Sequence, residues 1–123
     1  MTPPPVLPPA GYTKEERTVA AAAHLAAFAG HVFPFAHIFV PLAVWFWRRD
    51  TSSFVDDQGK ESVNAQISVT IYAAVCAPFC FILIGFLMLG VLYLAAVILT
   101  ILAAMAAYEG RVYRYPLILR LVR

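Results

Sequence analysis

The sequence predicts an all-α integral membrane protein, a small polytopic bundle, and three observations carry that expectation. The chain is 62% hydrophobic with 13% charged residues over 123 positions, against roughly 25% charge in a soluble domain. Its mean hydropathy is +0.77, more apolar surface than a domain of this size can hide from water. The charges are also segregated, because residues 18–47 and 62–108 contain no Asp, Glu, Lys or Arg. Lipid is the solvent this pattern suits. The formal net charge of +2 and the lack of a basic stripe outside the membrane flanks give no reason to expect nucleic acid as a partner.

Taken in order, residues 1–13 contain "PPPVLPP" and read as a disordered, polyproline-type tail. A single membrane domain, residues 14–123, follows. Thr13 and Glu16 fit a capping box at the first helix start. His24 interrupts the apolar sequence, which continues past "AAFAG", so a cleaved signal peptide is not expected.

A crossing helix needs about 20 apolar residues. Residues 18–47 are long for one helix and short for two, and Gly30, Pro34 and Pro41 interrupt them. They form either one strongly kinked helix or a re-entrant hairpin of two short helices, 14–32 and 35–48. A polar loop spans 49–60. Residues 62–108 suffice for two transmembrane helices, 61–88 and 91–110, with the reversal near "MLGVL", where Gly90 would permit it. Residues 111–123 alternate basic and apolar side chains around Pro116 and read as an interfacial segment facing anionic lipid.

Orientation follows from charge. Two crossings put the polar loop and the C-terminal tail on one side, together with seven of the nine basic residues. The positive-inside rule makes that side cytoplasmic in a bacterial inner (plasma) membrane. A hairpin would bring Lys14 and Arg17 to the same side, and the hairpin is favoured for that reason.

Two groups of polar residues are candidates for function. The first is the stretch holding Asp56, Asp57, Lys60, Glu61, Asn64 and Gln66. It reads as the entrance of a helix beginning around Lys60, with Gly59 easing the turn. Glu61, Asn64 and Ser68 share a face and Gln66 lies off it, so the polarity surrounds the first turns and should emerge from the bilayer. Its blander role is an interfacial cap; its functional role is a docking patch for a protein or lipid headgroups. The second group is His24, His31 and His37, intramembrane polar residues that suit interhelical hydrogen bonds better than a proton or ligand path or a metal or haem site. Cys76 and Cys80 flank Pro78 and read as unreactive apolar thiols. No metal-ligand spacing, phosphate loop, nucleophile–base pair or carboxylate dyad appears, so neither an enzyme nor a cofactor is expected.

"HLAAFAG", "PFAHIFVPLAVWFWRRD", "FVDDQGKESVNAQIS" and "YRYPL" resemble a bacterial membrane family, the domain of unknown function numbered 4870. That family is itself distantly similar to the twenty-kilodalton subunit of the chloroplast inner-envelope import translocon (Tic). The resemblance implies four helical segments with both ends on one side, and a link to translocation. The function expected from all of this is a small accessory or interaction protein, with the bilayer and a membrane protein or a second copy as partners. The alternative is an oligomeric channel or carrier built on the broken first segment and its histidines.

Overall fold

The computed structural model describes Pro5, Leu7, Pro8 and residues 11–122. The polyproline stretch of the tail therefore lies largely outside the described residues, as does Arg123. The described chain folds into four α-helices joined by 3-10 segments, without a strand.

Helix α1 (Lys14–Leu25) begins where Thr13 caps it. The Thr13 hydroxyl accepts from the Glu16 amide at 3.1 Å, and the Glu16 carboxylate accepts from the Thr13 amide at 2.6 Å. This closes the capping box and satisfies two amides that the helix itself leaves open. A 3-10 segment (Ala26–His31) continues the path, and the chain reverses through Phe35, a left-handed residue with φ 63°. Helix α2 (Ala36–Arg48) then returns alongside α1, with Pro41 inside it. Arg48 Nη2 reaches Glu15 Oε1 at 2.5 Å, so the end of α2 lies beside the start of α1. The first apolar segment is thus a hairpin.

Helix α3 (Ser53–Cys76) starts seven residues earlier than its charge pattern suggests, because the Ser52 hydroxyl accepts from the Val55 amide at 3.2 Å. Most of the expected polar loop is therefore helix, preceded by one short 3-10 turn (Arg49–Thr51). Gly59 is not a turn residue. It lies under Trp45 of α2, where an added Cβ would stand 2.6 Å from Trp45 Cδ1.

Beyond α3, a 3-10 segment (Ala77–Ile82) opens with Pro78, and the chain reverses at Leu83, with φ 67°. Helix α4 (Ile84–Tyr108) follows. The expected reversal near Gly90 is corrected here. Gly90 lies inside α4 with open space around it, whereas a Cβ on Gly85 would meet the Cys80 amide nitrogen at 2.1 Å. The glycine that matters is the one against which the chain folds back. At the other end of α4, the Arg111 amide donates to the Ala106 carbonyl and the Gly110 amide to Ala107. With Gly110 at φ 81°, this is a Schellman stop.

The helices meet through small side chains: Ala20, Ala21, Ala23 and Ala27 of the first segment and Ala103, Ala104, Ala106 and Ala107 of α4 are all buried. Without a hydrophobic drive in lipid, such close backbone approach is what holds helices together. The start of α1, the end of α2, the start of α3 and the end of α4 gather at one end. Tyr12 stacks on Phe54 at 4.1 Å, and Arg17 Nη1 donates to the Tyr108 carbonyl at 2.8 Å. Every charged side chain among the described residues belongs to segments that begin or end there, and the 32–35 and Leu83 turns at the opposite end carry none. The α3 segment with its 3-10 continuation (Ser53–Ile82) and α4 (Ile84–Tyr108) are long and apolar enough to cross a bilayer. Leu, Ile, Val and Phe side chains stand exposed along both.

Candidate functional site: a polar ladder on α3 and its C-terminal strap

The polar stretch of α3 faces inward. Glu61 is 3% exposed, Asn64 2% and Gln66 5%, and Gln58 is fully buried. Asp56, Asp57 and Lys60 are half-buried. The polarity does not lie open around the first turns of the helix, as expected, but is turned into the protein. Residues 111–122, read from sequence as an interfacial segment, instead fold back along α3 as an extended strap and cover it.

The reason is backbone satisfaction. An extended segment has no hydrogen bonds of its own, and unpaired amides and carbonyls are costly away from water. Gln58, Glu61, Asn64, Ser68 and Tyr72 recur every three or four positions, one stripe of a helix, with Asp57 beside it, and each meets the strap. The Gln58 side chain accepts from the Tyr113 amide at 3.3 Å and donates to the Tyr113 carbonyl at 3.4 Å. Glu61 Oε1 accepts from the Tyr115 amide at 2.8 Å. Tyr72 donates its hydroxyl hydrogen to the Leu117 carbonyl. There the strap reverses, through Pro116 and the left-handed Leu117. On the way back Ser68 Oγ accepts from the Leu119 amide at 2.7 Å. The Asn64 amide group then accepts from the Val122 amide and donates to the Val122 carbonyl, both at 2.8 Å.

Ion pairs fasten the two limbs. Arg114 grips Asp57 with both terminal nitrogens, at 2.7 and 2.8 Å, a bidentate geometry specific to arginine. Arg120 Nη2 donates to Glu61 Oε1 at 2.9 Å. The hydrogen bonds to Asp57 push the Arg114 guanidinium pKa above its ordinary value, so the pair stays charged. Asp56 is used elsewhere: it accepts from Trp45 Nε1 at 2.8 Å and pairs with Lys60 at 3.0 Å.

The histidines do not come together. His24 is buried beneath the strap, with Nε2 3.1 Å from Gln58 Oε1 and Nδ1 2.9 Å from the Tyr115 hydroxyl. Gln58 Oε1 can only accept, which assigns the His24 proton to Nε2 and makes Tyr115 the donor to Nδ1. Burial raises the Tyr115 pKa above its ordinary value, so the hydroxyl keeps the proton it donates. His31 lies at the hairpin tip, Nδ1 3.1 Å from the Phe28 carbonyl and Nε2 2.5 Å from the Tyr93 hydroxyl. His37 is 2.7 Å from Thr70 Oγ1. Among the described residues no three His, Cys, Asp or Glu side chains are grouped to hold a metal ion. Cys76 and Cys80 are free thiols.

Sequence reasoning found Asp57, Glu61 and Asn64 but missed their partners Arg114, Tyr115, Arg120 and Val122. One signal was available. The polar stripe continues through Ser68 to Tyr72, deeper than a helix cap needs, and a stripe of that length calls for a polar partner. Gln66 stands apart from the ladder and lines the space between α3 and α4.

Against known proteins, no curated protein and no solved structure matches the chain. The sequence model of one family does, over residues 15–122. It is neither the domain of unknown function 4870 nor the Tic subunit, so that resemblance is overturned and the link to translocation falls with it. What the shared motifs reported was a small helical membrane protein, a property common to unrelated families. The residues matched span all four helices and the strap, and the chain belongs to the Magnetosome magnetite crystal formation protein family, MamF_MmsF.

Proposed function

We propose that this chain is a non-enzymatic protein of the magnetosome membrane that serves magnetite crystal formation through contacts made at its charged end. The membership just described supports the compartment and the process. The observation that carries the mode of action is the segregation of charge. All Asp, Glu, Lys and Arg side chains of the described residues belong to one end, and the opposite end is apolar. The positive-inside rule turns the charged end to the cytoplasm, with α3 and α4 crossing fully and the α1–α2 hairpin re-entering from the same side. The apolar end then faces the compartment where mineral grows and offers it no carboxylate.

On this reading the protein organises the membrane or a partner from the cytoplasmic side. The ladder of Asp57, Glu61 and Asn64 is internal scaffolding. The docking surface moves to the exposed rim of Lys14, Glu15, Arg49, Asp50, Glu109 and Arg111. Photo-crosslinking at Asp50 and Glu109 in magnetosome-forming cells, paired with electron microscopy of a deletion strain, tests both parts. A dominant membrane or cytoplasmic partner, together with altered crystal number or size, is the expected result. Crystals unchanged by the deletion would refute the process. Adducts confined to compartment-side proteins would refute the orientation.

A further inference from the structure

We propose that the cleft between α3 and α4 binds a polyprenyl quinone or its quinol, a flat uncharged ring with carbonyl or hydroxyl oxygens and a long apolar chain. Two cavities adjoin in this cleft. One, of about 370 Å³, is lined by Phe28, His31, His37 and Tyr93 among others. The other, of about 730 Å³, is almost wholly apolar, with Val75, Leu87, Met88, Val91 and Leu99 in its walls. Gln66, Val69, Leu92, Ala96 and Thr100 line both, so a molecule with its head in the first can lay its chain in the second. Volumes of this size suit a small-molecule head and part of its tail.

The chemistry of the walls selects the class of ligand. No lining residue of either cavity is Asp, Glu, Lys or Arg. A phosphate-bearing lipid head would lose its hydration there with no charge or cluster of amides to replace it. Rings of Phe28, His31 and Tyr93 surround the head space, with His31 edge-on to Tyr93 at 5.8 Å, which favours a flat head over a branched one.

The second, independent observation is Gln66. Its residue is 95% buried by area, the complement of its 5% exposure. It lines both cavities, yet its side-chain amide makes no hydrogen bond among the described residues. The amide is not enclosed by protein but opens onto the cavity space. A neighbouring polar group, Thr70, is already committed: its hydroxyl donates to the Gln66 backbone carbonyl at 2.8 Å and therefore accepts from His37 Nε2 at 2.7 Å. The Gln66 amide is thus the open donor and acceptor, a donor to a quinone carbonyl or an acceptor from a quinol hydroxyl. His31 and Tyr93 are exposed at the outer surface of the bundle, which gives a head group lateral entry from lipid.

The test uses the full chain, purified from a quinone-producing host into nanodiscs. Bound quinone is extracted and counted per protomer, and decylubiquinone is then titrated as a probe. Two variants accompany it. Gln66→Leu removes the open amide at nearly constant volume, and Ala96→Phe fills the shared wall without touching a polar group. The expected result is near-stoichiometric quinone in the parent protein and decylubiquinone binding weakened about tenfold in each variant, with thermal unfolding unchanged for Gln66→Leu. Three outcomes overturn the proposal: no quinone above the level of an unrelated membrane protein and no saturable decylubiquinone binding by the parent; equal binding by the parent and a folded Gln66→Leu; or recovery of phospholipid or diacylglycerol in place of quinone. The parent measurement alone decides the matter if a variant fails to fold.

Discussion

Glu61→Leu should release the C-terminal strap while leaving the four helices folded. Glu61 Oε1 accepts from the Tyr115 amide at 2.8 Å and from Arg120 Nη2 at 2.9 Å. Its side chain is 4% exposed and that of Arg120 26%. Removing one partner of a buried pair costs roughly 3–5 kcal/mol, mostly the desolvation of the charge left behind. Arg120 keeps some access to water, so the lower part of that range applies, with about 1 kcal/mol more for the orphaned amide. A local loss of about 3–4 kcal/mol raises the population of the opened strap by two to three orders of magnitude, since each 1.4 kcal/mol is about tenfold. Hydrogen exchange of the protein in nanodiscs reads this directly. Amides of Tyr115, Leu119 and Val122 should lose protection at least a hundredfold, and those of α1 and α4 should not change. Adding Arg120→Met removes the other member of the pair and should restore part of the loss, a coupling the double-mutant cycle measures. Strap protection unchanged in the single variant, or no recovery in the double, would refute the ladder as the reason the strap lies where it does.

Three further outcomes follow from the same packing. Gly59→Ala places a methyl 2.6 Å from Trp45 Cδ1 and should destabilise the α2–α3 contact by about 2 kcal/mol, seen as a lower midpoint of thermal unfolding and a shift in tryptophan emission as the Trp45–Asp56 bond breaks. Gly90→Ala meets open space inside α4 and should leave the unfolding midpoint unchanged or raise stability by up to about 1 kcal/mol; a marked loss would return the chain reversal to Gly90. Alkaline pH should loosen the strap, because burial raises the Tyr115 pKa above the ordinary tyrosine value. A hydroxyl that is harder to ionise when folded stabilises fully below the unfolded pKa. That stabilisation is lost as pH rises toward the folded value. Limited proteolysis of the C-terminus should therefore accelerate above about pH 10, and Tyr115→Phe should remove that acceleration.

How far the sequence reaches differs from element to element. The first helix start was legible because a capping box is local: Thr13 and Glu16 are three residues apart and need no tertiary partner. The start of α3 was as local, at Ser52, but the charges that follow it looked like loop. Gly90 and Gly85 are indistinguishable in the sequence, and only the return of α4 against Cys80 shows which one must lack a side chain. The family resemblance misled for a related reason. Alanine-rich helices, a Trp-Arg flank and a polar helix entrance are what any small helical membrane protein needs, so they report the solvent more than the lineage.

By itself the sequence determined that lipid is the solvent, that the regular elements are helices, and that charge collects at one end. Those follow from composition and spacing, which act over a few residues and are the same in any arrangement. Tertiary structure alone decided that the polar stripe is interior, that Gln66 lies in a cleft, and that the tail is a strap. Asn64 and Val122 are 58 positions apart, and no local preference brings them together. What does so is the cost of leaving an extended backbone unpaired out of water, a cost that exists only once the helices have packed.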